Sequence, residues 1–302
     1  MSDLKGVCPV ISVPFNNDDE INYEDLENQI RTLSDGGCHA LFLFGYASEF
    51  YKMNDEERKK LAKESVNAGD RYNIPIYISV TAQSTKTAEE WAQFYEGIGA
   101  EGLMVLPPRQ AEPNEEALYK HLQSVASEVS LPIVVQYAPQ QGGASIEPDV
   151  FARLSEEEKN VAYYKIECEP PGPYISTLLE RTDGDVDILV GSGGINMIES
   201  FDRGATGVIP GGAMHELYLK IYESYTTGDR DAALSYHKDL LPVLNHMSQA
   251  GELFIMYEKR FLKQRDIISN GRLRAPTYES DEYLDQLADD YFEEIREHLG
   301  SQ

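Results

Sequence analysis

Eight short apolar runs, each followed by an amphipathic segment, leave few folds open to this chain. The runs are 7–13, 40–44, 74–80, 102–108, 131–137, 161–166, 186–191 and 205–211. The segments after them carry apolar residues at helical spacing, over 23–34, 55–69, 85–98, 115–129, 147–154, 174–181, 195–203 and 217–225. A strand that is apolar on both faces must be covered on both sides, as in a parallel sheet with helical crossovers. Eight such units predict a closed (β/α)8 TIM barrel, of the α/β class. A doubly wound open sheet is the competing arrangement, but no GxGxxG follows the first run. Beyond residue 228 the pattern changes to helices without strands, over 229–247, 252–264 and 283–298. The expected organisation is a barrel over 1–226 carrying the active site. A helical extension over 227–302 packs on it, within one structural domain. Thr87 and Glu90 can form a capping box at the start of the third helix.

In such a barrel the reacting groups sit at the C-terminal ends of strands, which selects positions directly. The sixth run, VAYYKIE (161–167), ends in a lysine and then meets Pro170, Pro171, Gly172 and Pro173, which must close the strand. A lysine there is costly unless it is paired or neutral, and a neutral amine is nucleophilic towards a ketone. Lys165 is therefore the candidate Schiff-base residue. Glu167, two residues on, shares its face. The plainer reading is a strand-end lysine that reaches solvent and pairs with Glu167. The second run ends at Gly45, Tyr46, Ala47, Ser48 and Glu49. Backbone N–H groups near Ala47 and Ser48, with the Ser48 hydroxyl, can receive a carboxylate, and Glu49 can assist proton transfer or only hold its loop. Tyr137 ends the fifth run and is the candidate acid–base group, though it is one of nineteen tyrosines. Gly191, in GSGG, and Ile209, before Pro210, complete the candidate substrate-binding set with Tyr46, Ala47 and Ser48. The glycines of GSGG can equally serve only a tight turn, and no Walker lysine accompanies them.

Charge narrows the partners. The 302 residues hold 26 basic and 52 acidic side chains, a net −26. Such a surface repels nucleic acid and anionic membranes. It reads as adaptation to high salt, where screening weakens repulsion, or as a merely acidic protein. No segment approaches eighteen consecutive apolar residues, so no membrane span is expected. The charged N-terminus MSDLKG lacks an apolar signal region, and Cys8, Cys38 and Cys168 are an odd, scattered set. Both features suit a cytoplasmic protein with reduced thiols. The six histidines include neither HxH nor HExxH, so no metal is expected, and no cofactor.

The stretches YASEF (46–50), DEER (55–58), VVQYAP (134–139), VAYYKIE (161–167), GATGVIPGG (204–212) and LPVLNH (241–246) resemble the dihydrodipicolinate synthase and N-acetylneuraminate lyase superfamily. The likeness runs through nearly the whole chain. Within the superfamily, VQ-x-AP and LP-x-x-NH point to the 2-keto-3-deoxy-L-arabonate dehydratase branch. The resemblance implies a Schiff-base dehydratase taking a 2-keto-3-deoxy-pentonate to 2-oxoglutarate semialdehyde, with Lys165 forming the imine. The alternative it implies is an aldolase releasing pyruvate. A barrel that binds keto acids without turnover is the remaining reading. A homo-oligomer, commonly a tetramer, is implied likewise. The departures are specific. The synthases' Gly-Thr-Thr-Gly-Glu loop reads Gly45-Tyr46-Ala47-Ser48-Glu49 here. Their strand-four tyrosine falls at about Arg109, and their arginine after strand five has no counterpart in Gln140, Gln141, Gly142 and Gly143.

Overall fold

Parallel strands whose residues are buried on both faces set the architecture. The computed structural model describes residues 4–108, 110, 113–139 and 145–300. Its elements begin β1 (Gly6–Val7), α1 (Tyr23–Asp35), β2 (Leu41–Leu43), α2 (Asp55–Tyr72), β3 (Ile76–Val80), α3 (Thr85–Gly97), β4 (Gly102–Val105) and α4 (Glu115–Ser127). They continue with β5 (Ile133–Tyr137), α5 (Pro148–Glu157), β6 (Val161–Ile166), α6 (Pro171–Arg181), β7 (Asp187–Val190), α7 (Met197–Asp202), β8 (Gly207–Val208) and α8 (His215–Thr226). Each strand is followed by its helix, and the fold is the (β/α)8 barrel. Three further helices follow, α9 (Arg230–Met247), α10 (Gly251–Gln264) and α11 (Glu282–Glu294). Among the described residues no helix is long and apolar enough to cross a membrane.

Two compact units make up the chain, residues 1–5 with 75–209 and residues 6–74 with 210–302. In the first, β3 to β8 pair in parallel, each with the next. Every residue of β3, β4 and β5 is buried, which is why these runs are apolar throughout rather than alternating. In the second unit Val10 bridges Phe42 on one side and Gly211 on the other, both in parallel. Except for β6, which spans its whole run, the hydrogen-bonded strands are shorter than their apolar runs.

Local chemistry explains the helix starts. Asn22 caps α1 through the N–H groups of Glu24 and Asp25. Asn54 and Glu57 form a full capping box on α2. The box expected from Thr87 and Glu90 is not used. Ser84 caps α3 instead, taking the Thr87 N–H, because the helix begins one turn earlier than that pair requires. Pro170 and Pro171 open α6, where a missing N–H costs nothing, so the cluster that ends β6 also starts its helix.

Candidate active site

The face on which each strand-end residue points is decided by alternation along β5 and β6. Tyr164 donates from its hydroxyl to the Phe151 carbonyl on α5 at 2.8 Å, so Tyr164 faces the helical layer. Lys165 and Glu167 therefore face the other way, with Tyr163. They meet: Lys165 Nζ lies 3.1 Å from Glu167 Oε1, with both side chains more than nine-tenths buried. Glu167 also accepts from the Ser192 N–H at 2.9 Å and from Gln136 Nε2. Gln136 is the register neighbour of Lys165, which is why its amide arrives on the same face. Gly191 is part of this arrangement for a steric reason. A Cβ there would stand 2.0 Å from Glu167 Cγ, so only glycine admits the carboxylate. Burial pushes the Glu167 carboxyl up, but Lys165, the Ser192 N–H and Gln136 outweigh it and hold it below the usual range. Glu167 is thus an ionised, acceptor-only group against the lysine.

Tyr137, the candidate acid–base group, lies on a different face from Lys165. It pairs in register with Ile166 and so belongs to the helix-side face of β5, opposite to Lys165. Its ring stacks on Tyr174 of α6 at 4.5 Å and meets the edge of Phe151 at 5.6 Å. Among the described residues its hydroxyl makes long contacts, 3.3 Å from the Ile146 N–H and 3.4 Å from Ser145 Oγ. Strand-end position alone suggested Tyr137, whereas residue parity selects Gln136. Ile209 is buried just after β8 and donates its N–H to the Val190 carbonyl at 2.9 Å.

The loop after β2 is built as follows within the second unit. Tyr46–Ser48 form a 3-10 turn, and Glu49 adopts a left-handed conformation with φ 53°. Ser48 Oγ accepts from the Phe44 N–H at 3.1 Å and donates to the Ile11 carbonyl at 2.6 Å, so its hydroxyl is committed to the fold. Ala47 is buried, and Tyr46 is exposed and stacked on Tyr51. Glu49 is wholly enclosed. Its Oε1 takes Lys259, and its Oε2 takes Lys52 at 3.1 Å and the Arg274 N–H at 3.2 Å. Lys259, from α10, also donates to the Arg272 carbonyl at 3.0 Å and lies 4.4 Å from the Phe15 ring centre. Burial, partly offset by Glu49, lowers Lys259 to about 8. A helical-period pattern gave no hint of this lysine, because α10 reads as an amphipathic helix whose charges face water.

Arg109 and Gln140 to Gly143, singled out from the sequence, lie outside the described residues. No cluster of three or more His, Cys, Asp or Glu suited to a metal ion occurs among the described residues.

These features have counterparts elsewhere. The profile of the dihydrodipicolinate synthetase family matches residues 3–292. A 4-hydroxy-tetrahydrodipicolinate synthase of Haloarcula marismortui is 28% identical over 291 residues, covering 95% of this chain and 92% of its own. The enzyme of that name from Methanopyrus kandleri is 27% identical over 245 residues, 80% of either chain. Among solved structures, YagE from E. coli K12, a prophage protein of the dihydrodipicolinic acid synthase family described in complex with pyruvate, superposes with a TM-score of 0.87. It is 20% identical, with 97% of this chain and 99% of that one covered. The extent of the profile match, more than nine-tenths of the chain, settles the family: this chain belongs to the dihydrodipicolinate synthetase family, whose members are Schiff-base lyases.

Proposed function

We propose that the chain is a dehydratase that removes water from a 2-keto-3-deoxy-pentonate, such as 2-keto-3-deoxy-L-arabonate, to give 2-oxoglutarate semialdehyde. The observation that carries the Schiff-base step is the buried Lys165–Glu167 pair, 3.1 Å apart at the end of β6. The choice of dehydration rests on the VVQYAP and LPVLNH stretches. The amine must first lose a proton, and Glu167 is the acceptor beside it. Lys165 then adds to the carbon 2 ketone. The proton held by Glu167 leaves with the carbinolamine oxygen as water, which restores the carboxylate and gives an iminium that makes the carbon 3 hydrogens acidic. An ionised Glu167 takes one of those protons as the enamine forms. Returned to the carbon 4 hydroxyl, the same proton lets it leave as water. Tautomerisation and hydrolysis then free the lysine and the product. The iminium is the electron sink throughout.

Glu49 enters this scheme by holding its loop, since its carboxylate is spent on Lys259, Lys52 and the Arg274 N–H. The Ala47–Ser48 backbone stays the candidate for the substrate carboxylate. Synthase activity is not proposed, because both threonines of the synthase loop and the arginine after strand five are replaced. Aldol cleavage is the second reading, and one observation favours it. Cleavage between carbons 3 and 4 needs a base on the carbon 4 hydroxyl, and Glu167 is held as a carboxylate. The net charge of −26 supports a protein adapted to high salt, for which molar KCl is expected to raise the melting temperature.

A product assay with 2-keto-3-deoxy-pentonate in high salt tests the proposal. Semialdehyde is the expected product. Pyruvate with glycolaldehyde would replace the dehydratase reading by the aldolase one, and no product from any keto acid would remove both.

A further inference from the structure

The side chain of Gln136 has only one way round. An ionised carboxylate accepts hydrogen bonds and donates none, so the amide nitrogen, not its oxygen, must face Glu167. Nε2 indeed meets Glu167 Oε2, while Oε1 of the same carboxylate receives the Ser192 N–H and lies 3.1 Å from Lys165 Nζ. The three donors come from three consecutive strands and their ends: β5, β6 and the turn after β7. The carboxylate cannot rotate without losing one of them, and the bare Cα of Gly191 closes the space behind it.

We propose that Gln136 is a positioning residue for the lysine chemistry. It acts through Glu167, fixing which oxygen faces Lys165 and keeping that carboxylate a proton acceptor. The inference rests on Lys165 being the imine-forming residue. Gln136 is the register neighbour of Lys165 and is buried, so its bond to Glu167 is shielded from water. Among the described residues three groups face Glu167: Lys165 from β6, the uncharged Gln136 amide from β5, and the Ser192 backbone after β7. Of these Lys165 is charged, and each of the three lowers Glu167 against its burial. Loss of the amide donor therefore raises Glu167, and a second carboxyl in its place raises it further.

The test is the rate at which pyruvate is trapped on Lys165 by borohydride, followed across pH. The proteins compared are the unsubstituted chain, Gln136→Glu, Gln136→Met, Glu167→Gln and Gln136→Met/Glu167→Gln. Where Glu167 protonates, trapping slows, which gives an acid limb. Gln136→Glu is expected to move that limb up by about one pH unit or more. Gln136→Met is expected to slow trapping about tenfold at neutral pH, the size of one lost hydrogen bond to a charged group. The double variant is expected to be no slower than Glu167→Gln alone, because Gln136 acts through Glu167. A limb that does not move, or additive losses in the double variant, overturns the inference. An unsubstituted chain that yields no adduct at all overturns instead the Schiff-base reading on which it rests.

Discussion

Lys165 at the end of β6 and Lys259 within α10 each lie buried against a glutamate, and their surroundings differ in one respect that matters for chemistry. The ammonium of Lys259 has a carboxylate, the Arg272 carbonyl and the Phe15 ring around it, and its side chain has no exposure at all. Its donors are spent. The partner Glu49 is equally committed, to Lys259, Lys52 and the Arg274 N–H. At Lys165 the amine faces Glu167, and the glutamate is what the surroundings hold, through Gln136, Ser192 and Gly191. One pair anchors a lysine with every donor used. The other anchors a carboxylate, and among the described residues its amine has a single ion partner. Burial alone therefore does not mark a reactive lysine; what its partners are anchored to does.

Substituting each lysine breaks the comparison most sharply. Lys165→Ala is expected to lower turnover by roughly 10⁴-fold or more while leaving the melting temperature nearly unchanged, because it deletes the nucleophile and leaves Glu167 the Ser192 and Gln136 donors. Product formation and thermal unfolding, measured together, check this. Lys259→Met is expected to act in the opposite way, costing about 3–5 kcal/mol of stability in denaturant titration, because it leaves both Glu49 Oε1 and the Arg272 carbonyl buried without the donor they share. The Glu49→Gln/Lys259→Met double variant should regain most of that loss, and a double variant no better than the single one would show that the ion pair is not the cause.

The neighbouring Glu258 sharpens the point. Burial, against the Ala213 N–H at 2.7 Å, pushes its carboxyl up to about 7. A Cβ on Gly211 would stand 2.3 Å from its Oε2, so glycine is what makes room for it. A carboxyl raised in the folded state favours folding at low pH, and that contribution is lost as pH rises through the folded value near 7. Glu258→Gln keeps the acceptor for Ala213 and removes the charge. It is expected to stabilise the protein by roughly 1–3 kcal/mol at pH 8 and to have little effect near pH 4. Unfolding at the two pH values checks the sign. The smallest effect is expected from Tyr137→Phe. With Tyr137 on the helix side of β5, turnover should stay within about threefold of the unsubstituted chain, a barrier change under about 1 kcal/mol. A large loss would return Tyr137 to the reaction.

Much of this is legible in the sequence. Alternation of apolar runs and amphipathic segments gave eight strand–helix units, because burial on both faces of a parallel strand leaves its mark on every residue of β3, β4 and β5. The shared face of Lys165 and Glu167 followed from spacing alone. Strand-end position alone does not mark Gln136; its register with Lys165 does, and that register depends on how β5 and β6 pair. The pairing of Glu49 with Lys259 spans 210 residues, and nothing local in α10 distinguishes a buried charge from a solvated one. The cap on α3 lies a turn earlier than Thr87 because Ser84 and Thr87 are both good caps, and propensity alone does not choose between them.

The central claim is that Lys165, not Lys259, carries the chemistry. Incubation of the intact protein with pyruvate and borohydride, followed by peptide mass spectrometry, tests it directly. The account expects a single reduced adduct on the peptide containing Lys165 and none on that containing Lys259. An adduct on Lys259, or modification of neither lysine, would contradict it.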